Sequence, residues 1–354
     1  MSKVFDNIQS KRNIDAPSQW TTITSIEMHT CGEPLRVLMD GLPDLKGDSV
    51  LAKRRDLMEN HDHIRTSTMF EPRGHADMYG CILVEPENET SDFGIIFLHN
   101  EGYSTMCGHA IIAITTLAVQ MNWINVKEGN NTLKIDAPCG MIESNALIEN
   151  DKIQNVSFKC VPSFVQDLDL VIDTPSYGKV KYDLAYGGAY YAYVDLQKND
   201  LDFNLSEEYY SQIISAGKEI KLSITNSGLS IKHPFEADLS FLYGTIFIGP
   251  SSKQGIHSQN VCVFADGEVD RSPTGSGLSG RLAIHKRRNE INLKEQIEVE
   301  SIIGTSFKGQ VLEDIQFGLF DAVIPLVSGS AHITGANQFY LNSDDPLNHG
   351  FFLR

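Results

Sequence analysis

Met106-Cys107-Gly108-His109-Ala110, followed by the apolar run Ile111-Ile112-Ala113-Ile114, is the stretch on which the reading of this chain turns. Glycine and then unbroken apolar residues predict a buried helix with the Cys107 thiol at its first turn. The free backbone N–H groups and the positive dipole end there favour a thiolate, the form in which cysteine acts as base or nucleophile. A second stretch has the same design. Asp270-Arg271-Ser272-Pro273-Thr274-Gly275-Ser276-Gly277 leads into Leu278-Ser279-Gly280-Arg281-Leu282-Ala283-Ile284, another Gly-rich turn opening a helix pattern. Thr274 stands where Cys107 stands, and Gly275 matches Gly108. Each motif follows a strand-like segment, Gly94-Ile95-Ile96-Phe97-Leu98 and Val261-Cys262-Val263-Phe264. Two halves of similar design are expected, each aiming a helix N-terminus at a shared cleft that suits a small anion such as an amino-acid carboxylate.

Composition agrees with two lobes. A chain of 354 residues exceeds most single cores, and 41% hydrophobic residues suffice for sizeable ones. A net charge of −17 argues against phosphate backbones, so no nucleic-acid partner is expected. Lys286-Arg287-Arg288 reads as the favourable C-terminal end of the second helix rather than as a basic patch. The six cysteines (31, 81, 107, 139, 160 and 262) show no Cys-x-x-Cys pair, which fits reduced thiols in the cytoplasm. Residues 1–20 lack a signal-peptide or transit pattern, and no window approaches membrane-spanning length. A soluble, cytoplasmic protein without a membrane partner is expected, with 1–20 as a loose N-terminal arm.

The first lobe is expected over 21–178, carrying Cys107, with one surface helix over 49–64 and a polar stretch over 162–178 connecting the lobes. The second, carrying Asp270 and Thr274, is expected over 179–328. The C-terminal segment 329–354 is expected to return to the first lobe.

Several side chains invite chemistry. Asp270, four residues before Thr274, can meet a substrate ammonium at the helix mouth. Gly275, Ser276 and Gly277, with the matching Gly108, look like a cradle of backbone N–H groups. His109 is placed to touch substrate, and His75, in a Gly-flanked loop, is a candidate pocket liner. His61-Asp62-His63 lacks a third ligand at sensible spacing, so no metal site is expected. Neither a dinucleotide fingerprint nor a P-loop is present. A Cys–His hydrolase would need an activating histidine that spacing alone does not locate.

His29-Thr30-x-Gly32-Glu33-Pro34, Glu71-Pro72-Arg73-Gly74-His75, Met106-Cys107-Gly108-His109, Tyr186-Gly187-Gly188 and Asp270-Arg271-Ser272-Pro273 together resemble the proline racemase family in order and spacing. The resemblance implies an α+β, diaminopimelate-epimerase-like fold: two pseudo-symmetric α/β lobes with the active site in the cleft between them. It also implies a homodimer and no cofactor. Racemases of the family carry a second cysteine where this chain has Thr274. Members with threonine there resemble trans-3-hydroxy-L-proline dehydratases, enzymes of hydroxyproline breakdown, and that is the activity implied. Cys31 departs from the usual Gly or Ala and reads as a harmless small substitution.

The chemistry points the same way. Racemisation removes a proton from one face and returns one to the other, so it needs two competent acid/base groups. A threonine hydroxyl is too weak for either role at neutral pH, whereas one thiolate suffices for β-elimination. Cys107 is then the catalytic base. Gly108, His109, Gly275 and Ser276 hold the carboxylate, Asp270 the ring nitrogen, and Thr274 packs or donates from the opposite face. The alternatives are a proline racemase or 4-hydroxyproline 2-epimerase, and a non-catalytic imino-acid binder.

Overall fold

The computed structural model describes residues 3–11, 14, 16–251 and 253–353. A short helix, α1 (Lys3–Ser10), precedes the first lobe, and its described side chains are exposed. The lobe itself runs β1 (Thr21–Thr30), β2 (Glu33–Asp40), α2 (Val50–Asn60), α3 (His63–Met69), β3 (Tyr79–Val84), β4 (Phe93–His99), α4 (Gly108–Gln120), β5 (Gly129–Ala137), β6 (Gly140–Glu149) and β7 (Lys152–Lys159). The second runs β8 (Ser163–Thr174), β9 (Gly178–Tyr186), β10 (Tyr190–Asp195), α5 (Tyr210–Asn226), β11 (Leu242–Gly249), β12 (Ser258–Phe264), β13 (Glu268–Val269), α6 (Gly275–Arg287), β14 (Gln296–Glu300), β15 (Ser306–Phe317) and β16 (Phe320–Gly329). Last comes β17 (Ala331–Leu341).

Strand pairing repeats from lobe to lobe. In the first, β1 and β2 are antiparallel, β2 and β3 parallel, β3 and β4 antiparallel, and β4 and β5 parallel across α4. In the second, β9, β10, β11, β12 and β14 follow the same sequence of pairings, with α6 in the place of α4. Parallel neighbours need a crossover, and α4 and α6, of 13 residues each, supply matching ones. The C-terminal strand closes the first lobe by pairing with β1 from Thr21↔Leu341 to Thr30↔Ala331. Strand β16 pairs with both β7 and β8 and so stitches the lobes together.

Two boundaries differ from the sequence expectation. Residues 162–178 are no polar connector: β8 pairs with β9 along most of its length, so the second lobe begins near Ser163 rather than at 179. One face of this hairpin meets solvent, which is why its residues read as polar. The stretch 49–64 holds two helices. Ser49 caps α2 by accepting from the Ala52 N–H. The chain breaks at His61-Asp62, where the Asp62 carboxylate accepts from Arg65 and the Tyr103 hydroxyl.

Helix α4 is buried on every side from Gly108 through Val119, with Ile111, Ile112, Ile114 and Leu117 fully enclosed. Each such side chain contributes roughly 1.5–3 kcal/mol, so the four together outweigh a cap worth about 0.5–2 kcal/mol, and the position of Cys107 is set by core packing. The two crossover helices meet at their N-termini. A Cβ built on Gly108 would lie 2.7 Å from the Gly275 Cα and 2.8 Å from the Phe158 ring. No other residue type fits there without driving the lobes apart.

Gly108→Ala is therefore expected to lower stability by roughly 1–3 kcal/mol through overpacking, although alanine is the better helix former. Gly335→Ala, where nothing lies within 4 Å of the new methyl, is the control. Equal thermal midpoints for the two variants would show that the helix ends do not depend on close contact.

Candidate active site

Cys107 caps α4 in an extended conformation (φ −145°), and its sulfur accepts the Ala110 N–H at 3.4 Å. The Ile111 N–H takes the Cys107 carbonyl, which leaves the N–H groups of Gly108 and His109 for a ligand. Strand β1 fixes the same turn, since Thr30 Oγ1 donates to the His109 carbonyl at 2.7 Å. The His109 ring lies against the thiol, with Nδ1 3.2 Å and Nε2 3.6 Å from Sγ. Burial pushes its pKa down to about 3, so the imidazole is neutral.

Across the cavity the cap of α6 is built differently. Thr274 has φ +65°, a left-handed conformation unusual for a β-branched residue and found where function over-determines the backbone. Its side chain does not cap the helix, and its buried Oγ1 lies beside the Asp270 carboxylate and the Cys262 thiol, favouring the charged form of each. Next to it, Ser276 Oγ shares a 2.8 Å hydrogen bond with the Tyr191 hydroxyl. The Asp270 carboxylate accepts the Ser272 N–H at 2.7 Å, and burial raises its pKa.

Cys107, Gly108 and His109 from one lobe and Asp270, Thr274, Gly275 and Ser276 from the other line a single cavity. His75 stands outside it. Its side chain is exposed and turns to the Ala76 carbonyl of its own loop, so the pocket-lining expectation is corrected. Sequence reasoning missed Tyr79, Met106, Tyr191, Tyr243, Cys262 and Phe264, which complete the wall. A readable signal existed for two of them: Tyr79 closes the His75 motif, and Tyr191 follows Gly187-Gly188. Cys262 and Phe264 alternate along β12 with Val263, which packs on Gly217 of α5, so they face the cleft.

The cavity measures about 20 Å³, room for roughly one water. The lobes are thus closed, and contacts across them hold the closure. Arg271 pairs with Asp77 at 2.8 Å and gives its backbone N–H to Glu33 at 2.7 Å, while His99 Nδ1 lies 3.0 Å from Glu268. Enclosure also reverses one expectation. Burial raises the Cys107 thiol well above its usual value, against the Ala110 N–H and the Tyr79 hydroxyl, which favour the thiolate. In the closed cleft desolvation outweighs the helix end.

The arrangement can hold a small anion between two helix ends and move one proton through a thiol on one face. Among the described residues no helix is long and apolar enough to cross a membrane. Residues 25–352 match the family model described as proline racemase. A trans-3-hydroxy-L-proline dehydratase of Colwellia psychrerythraea is 49% identical, over 95% of this chain and 94% of that one. A 3-hydroxyproline 2-epimerase of Burkholderia multivorans is 44% identical, over 94% and 98%. The crystal structure of a hydroxyproline epimerase from Agrobacterium vitis, with trans-4-hydroxy-L-proline bound, superposes with a TM-score of 0.87 at 27% identity, covering 94% of this chain and 96% of that one. With the family model spanning both lobes and the two helix-end motifs, this chain belongs to the proline racemase family.

Proposed function

We propose that the protein is a trans-3-hydroxy-L-proline dehydratase, a hydro-lyase. One observation carries this reading: a single helix-capping thiol, Cys107, faces a threonine hydroxyl at the matching helix end. The high identity to the Colwellia dehydratase supports it.

Each step follows from the site. The substrate carboxylate takes the N–H groups at the two helix ends, Gly108 and His109 on one side and Gly275 and Ser276 on the other. Those donors strengthen as charge develops on the carboxylate during α-proton loss. Asp270 fixes the ring nitrogen and so aims the α-hydrogen at Cys107. The Cys107 thiolate removes that proton, the 3-hydroxyl leaves, and the resulting enamine tautomerises to pyrroline-2-carboxylate. The buried Thr274 hydroxyl supplies a hydrogen bond on the far face. A cytoplasmic homodimer acting in hydroxyproline breakdown, without a cofactor, is part of the same proposal.

A 2-epimerase is the second reading, and Cys262 is the observation that favours it. Its thiol lines the cavity from the second lobe, where a second base would stand. Burial raises that thiol well above its usual value, as it does Cys107, but no helix end supports it, so it is the poorer base of the two.

Incubation with trans-3-hydroxy-L-proline, trans-4-hydroxy-L-proline and L-proline in D2O separates the readings by proton NMR. Only the 3-hydroxy compound should react, giving pyrroline-2-carboxylate; inversion or α-deuteration of the other two without dehydration would make the protein an epimerase or racemase. Cys107→Ser should lower turnover by at least about 10²-fold with the circular dichroism spectrum unchanged, and substantial remaining dehydration removes Cys107 from the mechanism. Thr274→Cys should introduce some α-exchange of proline.

The pH profile follows from the raised thiol. The active form is the thiolate, so kcat/KM should climb about tenfold per pH unit through neutrality and level off only at alkaline pH. A plateau already reached at pH 7 would mean that the free enzyme is open and its helix end sets the pKa.

A further inference from the structure

Dehydration leaves one proton unassigned, because the 3-hydroxyl departs as water only if some group protonates its oxygen. In trans-3-hydroxy-L-proline that hydroxyl lies opposite the carboxylate, on the same ring face as the α-hydrogen. Elimination is therefore syn, and the donor must stand beside Cys107 on the first lobe's wall. That wall consists of Tyr79, Met106, Cys107, Gly108 and His109. Apart from the thiol, only His109 and Tyr79 carry a transferable side-chain proton. Both ring nitrogens of His109 lie within 3.6 Å of the Cys107 sulfur, so that ring is engaged with the base itself.

Tyr79 is held as a donor should be. It opens β3, its hydroxyl shares a hydrogen bond with Ser104 Oγ, and it is buried. Its ring meets His109 edge-on at 4.7 Å and stacks on His99 at 5.6 Å. His99 Nδ1 lies 3.0 Å from Glu268 of the other lobe, so lobe closure confines the stacked phenol.

We infer that Tyr79 is the general acid of this site, giving its phenolic proton to the departing 3-hydroxyl while Cys107 takes the α-proton. This rests on the dehydratase reading. The electrons of the Cα–H bond form the C2=C3 double bond, the C3–O bond breaks, and the oxygen leaves with the Tyr79 proton as water. Cys107 is then a thiol and Tyr79 a phenolate hydrogen-bonded by Ser104. Both groups line the same wall, so the proton returns from thiol to phenolate and restores both. Burial keeps the phenol well above its ordinary pKa, so it is protonated when substrate arrives.

The test compares leaving groups. Fluoride departs without a proton, so trans-3-fluoro-L-proline needs Cys107 but no acid. Tyr79→Phe should slow water elimination from the hydroxy compound by at least about 100-fold more than it slows fluoride release, read with an ion-selective electrode; a modest loss common to both reports the weakened Cys107 thiolate. Equal loss for both leaving groups, or loss for neither, overturns the assignment. If Tyr79→Phe does not fold, Ser104→Ala keeps the phenol and removes its partner; it should slow hydroxyl loss about tenfold more than fluoride loss, and an equal effect overturns the proposal. A wild-type protein that releases fluoride but never dehydrates the hydroxy compound would sink the dehydratase reading itself.

Discussion

The contact of Gly108 with Gly275, two helix N-termini meeting with no side chain between them, is the constraint on which the rest depends. A helix end offers unpaired N–H groups and about half a positive charge. Two of them facing one small volume would repel, and would leave their donors unsatisfied, unless an anion sits between. Two such ends can hold a small anion with backbone groups alone. The surrounding core exists to hold the two ends at that separation, which is why α4 is enclosed on all sides and β16 ties the lobes together.

Closure sets the chemistry as much as position does. A helix end stabilises an adjacent anion by about 0.3–2 kcal/mol, whereas removing a charge from water costs several kcal/mol. In the sealed cavity the second effect wins, and Cys107 rests as a thiol. The Arg271–Asp77 and His99–Glu268 contacts hold the lobes in this closed arrangement.

Much of this was legible in the chain. The glycine-then-apolar pattern after Cys107 and Thr274 fixed both helix starts, since the period and the turn residues are local signals. The pairing of the C-terminal strand with β1 was not: no local signal in residues 331–341 names the distant strand they join. What escaped was set by neighbours distant in sequence. Strand β8 looked like a linker because only three of its twelve residues are buried. His75 looked like a pocket residue because glycine flanks it, yet its loop turns it outward while Tyr79, four residues on, points in. The Cys107 acidity was misjudged for the same reason: a dipole can be read from sequence, but the dryness of a cleft made by two lobes cannot.

The pseudo-symmetry is broken at one atom pair, and the break follows from geometry as well as from residue type. Cys107 sits in extended backbone with its sulfur drawn onto Ala110, whereas Thr274 is held at positive φ with its hydroxyl released from capping. A base must be near its own helix end to be acidified, while a group that only orients substrate gains by leaving it. The two caps have diverged in backbone as well as in side chain. Replacing Thr274 by cysteine therefore restores a thiol but not the cap geometry that makes Cys107 competent, so the second face should exchange protons more slowly than the first.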